Sequence, residues 1–128
     1  MNTPLNPTNV HPPGVYSHTV AVPGDARWLA ISGQVGVDPK GKLASGIERQ
    51  AERAFRNVVA CLRANKMKPA DLVKLTVFVT DPRFIPAYRA ARHKVLGDDV
   101  VPASTLLVVS GLATPEMLIE IEAWAAAS

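Results

Sequence analysis

The chain has 128 residues, 48% of them hydrophobic and 20% charged, a composition that suits one globular domain with a single modest core. A net charge of +3 does not call for an acidic partner, and no apolar run reaches the length of a membrane span. The single cysteine, Cys61, excludes an internal disulfide and fits a reducing cytoplasm, while three scattered histidines show no ligand spacing, so no metal is expected.

Residues 1–13 hold four prolines and three asparagines without periodicity, and read as an extended arm or frayed tail before a single domain over 14–128. They lack the basic start and apolar run of a signal peptide. "VYSHTVAV" (15–22) and "RWLAISGQVGV" (27–37) flank "PGDA" (23–26), which predicts an antiparallel hairpin. After the loop at 38–46, Ser45 and Glu48 stand in the capping-box relation. Ile47, Ala51, Ala54, Phe55, Val58 and Leu62 then recur at helical spacing, up to about Lys66. Cys61 falls on or beside that stripe, as a packing thiol would. Arg49, Arg53, Arg56 and Arg63 line another side, interleaved with Glu48 and Glu52, and read as a solvated face rather than a nucleic-acid patch.

"LVKLTVFVT" (72–80) reads as a strand. Asp81-Pro82 then opens a second helix with Phe84, Tyr88, Ala91 and Val95 as its stripe, closed by Gly97. The last two strands are expected at 103–111 and 117–125. The order β-β-α-β-α-β-β predicts an α+β fold with both helices on one face of a mixed sheet. Strands 72–80 and 117–125 are apolar on both faces, and helices can cover only one. The other face needs a partner, for which another copy of the chain is the natural candidate.

Along nearly the whole chain, "GVYSH", "ISGQVGVDPKGKL", "QAERAFRNV", "DLVKLTVFVTD", "VPAST" and "IEIEA" occur in an order and spacing that resembles the YjgF/RidA family, also labelled endoribonuclease L-PSP or translation initiation inhibitor. The resemblance implies a chorismate-mutase-like fold assembled as a homotrimer around an inner β-barrel. It also implies a ligand cleft at each subunit interface, and hydrolysis of reactive enamines or imines to keto acids and ammonia without metal or organic cofactor. By the same resemblance Tyr16, Ser32 and Glu120 are the candidate catalytic residues, with Gly33 beside them in the S-G-Q motif. Imine hydrolysis needs a water oriented by a carboxylate or carbonyl, with proton donors near the departing nitrogen, and these residue types can supply both.

One position departs from the pattern. Deaminases of the family read Pro-Ala-Arg where this chain reads Pro102-Ala103-Ser104, and their arginine holds the substrate carboxylate through paired hydrogen bonds. Ser104 therefore marks a missing anchor, and weak hydrolysis of 2-aminoacrylate is expected. Tyr88 falls near the position of the family's asparagine. Arg89, Arg92 and His93 on the second helix are candidate replacements for the anchor. His18, where the family often has glutamine, would share a strand face with Tyr16. Together Ser104, Tyr88, His18 and Arg89 join Gly33 as candidate substrate-binding residues. The leading expectation is a relative that binds a small metabolite between subunits and hydrolyses an enamine or imine other than a simple amino-acid derivative. A non-catalytic metabolite-binding trimer is the alternative. Ribonuclease activity is the least supported reading, for want of a histidine pair, a basic aromatic stripe or a phosphate-cradling loop.

Overall fold

The structure, a computed structural model, describes all residues from Met1 to Ser128. Its elements are β1 (Thr3–Leu5), β2 (Thr19–Ala21), β3 (Arg27–Val35), α1 (Gly46–Ala64), β4 (Leu72–Val79), α2 (Ile85–Leu96), β5 (Ala103–Val108) and β6 (Ile119–Ala127). Four strands form a mixed sheet in the order β3-β6-β4-β5: β4 and β5 run parallel, and β6 is antiparallel to both its neighbours. No helix is long and apolar enough to cross a membrane.

Alternation along the two central strands sets the core. Leu75, Val77 and Val79 of β4 and Ile119, Ile121 and Ala123 of β6 point to one face and are buried under α1 and α2. The expected stripe of α1 meets them: Ala51, Ala54, Phe55, Val58 and Leu62 have no exposed surface. Cys61 packs against this core, partly buried. The rings of Phe55 and Tyr88 stack 5.9 Å apart and tie α1 to α2. An ion pair between Lys94 Nζ and Glu52 at 2.7 Å joins the same helices at the surface. Asp81 initiates the 3-10 turn Pro82–Phe84 that leads into α2, accepting hydrogen bonds from the side chain and backbone N–H of Arg83, which lower its pKa to about 2.

Two local expectations need correction, and of the two readings of the arm the extended one holds for residues 3–5. The hairpin does not form: β3 pairs only with β6, and β2 pairs with β1 of the N-terminal arm. The turn at 23–26 exists, with Ala26 N–H bonded to the Pro23 carbonyl, but Gly24 lacks the positive φ that type I′ and II′ turns require. A turn of the other hand splays the flanking strands apart. The arm, in turn, is tied down rather than frayed: besides the β1–β2 pairing, Asn2 Nδ2 donates to the carbonyls of Asp71 and Ala126. The capping box also fails. Ser45 holds the N-cap position of α1 without a side-chain bond, because Gly46, at φ 82°, turns the chain between the hydroxyl and the helix amides it would reach.

The face of the sheet away from the helices carries Thr76, Phe78, Glu120, Glu122 and Trp124, with Leu107 and Trp28 on the outer strands. Trp28 and Trp124 meet edge to face at 6.3 Å, yet remain 52% and 46% exposed. The excess of apolar surface expected on this face is present and uncovered within one chain.

Candidate functional site

The sheet register breaks at Ser32 and Gly33. Ile31 pairs with Ala123 and Gln34 with Ile121, so two residues of β3 stand opposite the single residue Glu122. This β-bulge re-aims the strand at the S-G-Q motif. Glu120 lies across it: a Cβ on Gly33 would fall 1.9 Å from Glu120 Oε2, so only glycine leaves room for the carboxylate. Glu120 takes part in none of the chain's ion pairs.

Two helix amides, Gln50 buried and Asn57 half-buried, hold this region in place. Gln50 of α1 donates to the carbonyls of Ala44 and Glu116 and accepts from the N–H of Leu118, two residues before Glu120. Asn57 donates to the carbonyls of Val35 and Val37, just beyond the bulge. Gly36 lets the chain pass the helix, since a Cβ there would lie 2.6 Å from Gln50 Cα.

A second group lies beyond the other side of the sheet. A cavity of about 530 Å³ is lined by Tyr16, Tyr88, Arg89, Arg92, Ser104 and Leu106, together with residues 13–15. Ser104 pairs in register with Leu75 and so points to the helix side, while Glu120, in register with Phe78, points to the uncovered side. Tyr16 arrives on a segment held along the start of β5 by the Ser17 N–H, bonded to the Pro102 carbonyl. Tyr88 spends its ring on the core stack, with its edge at the cavity. His18 contacts the Tyr16 ring edge to face at 5.9 Å. Its Nε2 lies 2.6 Å from the His11 carbonyl, and its backbone N–H donates to Asn6, so the arm holds it. His93 lies away from the cavity, paired with Asp98 at 2.6 Å.

The candidate residues thus fall into two sets on opposite faces: Ser32, Gly33 and Glu120 in one, Tyr16, Tyr88, Arg89 and Ser104 in the other. One chain does not bring them together. Gln50 and Asn57 escape a sequence reading, because an amide turned inward from a helix leaves no periodic trace. Arg92 left one: it stands four residues after Tyr88, on the apolar stripe of α2, where a charged side chain is out of pattern. No cluster of three or more histidine, cysteine or acidic side chains stands where a metal could be held.

The fold and the bulged S-G-Q strand define a class. The endoribonuclease L-PSP family profile matches residues 7–127. A RutC family protein of Aquifex aeolicus is 40% identical over 82 residues, covering 63% of this chain and 61% of that protein. The 2-iminobutanoate/2-iminopropanoate deaminase of Salmonella typhimurium is 36% identical over 98 residues, 74% of this chain and 76% of the enzyme. The crystal structure of YyfB from Yersinia pestis, a Rid family protein of unknown function, superposes with a TM-score of 0.85 at 32% identity over 98% of both chains. The chain belongs to the endoribonuclease L-PSP family, the YjgF/RidA proteins, and has their chorismate-mutase-like α+β fold.

Proposed function

We propose that the protein is an imine hydrolase whose site is completed between two copies of the chain in a homotrimer. The observation that carries this reading is the Glu120 carboxylate lying across the bulged Gly33, unpaired and on the uncovered face. The relative from Salmonella typhimurium, named a 2-iminobutanoate/2-iminopropanoate deaminase, supports the reaction class. The outer strand β3 is paired on one side only, and the free edge of β5 is bridged only at its start, by Ser17 at Ala103. A head-to-tail contact that sets β5 of one copy beside β3 of the next closes into a ring and faces the two residue sets across one cleft.

In that cleft Glu120 orients a water and takes its proton as the oxygen attacks the imine carbon. The imine nitrogen takes up one proton as the C–O bond forms and a second before ammonia leaves, while the carbinolamine hydroxyl returns its proton to the Glu120 carboxylate as the C–O bond becomes the carbonyl. Tyr16 and Ser32 are the hydroxyl donors for the nitrogen. Glu120→Gln keeps the shape and removes the base, so kcat for ammonia release from imines generated in place by a dehydratase is expected to fall about 10²- to 10⁴-fold. An unchanged kcat in this variant overturns the assignment.

A further inference from the structure

We infer that Arg92 is the anion anchor of the cleft: a guanidinium carried by α2 stands in for the strand arginine absent at Ser104, and selects a ligand bearing a carboxylate. This rests on the reading of the cavity as part of the ligand cleft. Arg92 is 6% exposed and lines the cavity together with Ser104 and Tyr16. Its only hydrogen-bond partner is the Val15 carbonyl, which accepts from Nη1 at 2.9 Å and from Nη2. Its Nε is buried without a partner. No carboxylate of the chain pairs with it, whereas Lys94 and His93 on the same helix are paired with Glu52 and Asp98.

A buried guanidinium without a counter-charge is expensive, and an unmatched donor beside it adds to the penalty. One carbonyl oxygen satisfies hydrogen bonding on one side of the fork but brings no charge. A carboxylate supplies both the charge and a second acceptor, in the planar geometry that guanidinium matches. Arg89 sits at the exposed rim of the same cavity, where solvent screens its charge. The departure at position 104 then relocates the anchor from strand to helix and does not abolish it. This reverses the expectation of weak activity on carboxylate imines.

The test uses stable probes, 2-oxobutanoate and its methyl ester, with binding to the intact protein measured calorimetrically. Wild type is expected to prefer the acid over the ester by at least tenfold. Arg92→Gln should weaken binding of the acid about ten- to a hundred-fold and leave the ester unchanged. Ser104→Arg added to Arg92→Gln should restore preference for the acid. Arg63→Gln, on the solvated side of α1, should change neither. If Arg92→Gln does not fold, Arg92→Lys, which keeps the charge and loses the fork, should still weaken the acid selectively. Equal binding of acid and ester by wild type, or undiminished acid affinity in the Arg92 variant that folds, overturns the inference. The proposed reaction is scored separately by ammonia release. Release from 2-iminobutanoate and its ester at equal rates keeps the hydrolase reading and removes Arg92 from it, whereas no release from either and no binding removes both.

Discussion

Two glycines three residues apart separate chemistry from stability. At Gly33 an added methyl meets the far end of the Glu120 side chain, which can swing aside. At Gly36 it meets the backbone of Gln50 at 2.6 Å, which cannot move without shifting α1. Gly33→Ala is therefore expected to fold with a melting temperature close to wild type while losing about a hundred-fold in kcat, because a carboxylate displaced by an ångström no longer aims its water. Gly36→Ala should instead lower stability by about 1–3 kcal/mol, the usual penalty for overpacking. Thermal melts and ammonia release on both variants check the pair, and equal loss of stability in the two would contradict it. Candidate site residues at this scale are named where a motif marks them, as for Ser32, Gly33 and Glu120. Arg92 is legible as one of the candidate anchors on the second helix and as a break in its stripe, but its burial is not, since that follows from the contact of α2 with the segment at Val15.

Among the elements, Gln50 is the joint at which α1, the loop at 36–44 and the entry to β6 meet. Gln50→Leu fills the space but strands two carbonyls and one N–H, so a loss of about 2–4 kcal/mol in chemical denaturation is expected. Unchanged stability would mean that those groups find other partners. The helices were readable because their stripes are long: five stripe positions of α1 are fully buried where the 3.6-residue period puts them. The central strands were readable from alternation. The hairpin is not legible for a physical reason, since Pro-Gly-Asp marks a turn but its hand depends on the φ of Gly24, which residue identity does not determine. The pairing of β1 with β2 was equally out of reach, because three residues with a proline carry no period at all.

At the scale of the whole molecule, the proposed closure with further copies of the chain would account for both the two half-exposed tryptophans and the division of the candidate site between two faces. A trimer mass by light scattering at micromolar concentration is expected, and a monomer mass would end the shared-site reading. The division has a consequence of inheritance rather than of chemistry. If each working cleft takes Glu120 from one parent and Tyr16 from another, then two dead versions of the protein make a live one. Glu120→Gln and Tyr16→Phe chains, each inactive alone, should regain activity when co-expressed, with about a quarter of the clefts in randomly mixed rings drawing both intact groups. Conversely, a chain damaged in one residue set spoils only one cleft of a mixed ring, whereas a chain damaged in both spoils two, so that its effect in a mixed population exceeds its own share.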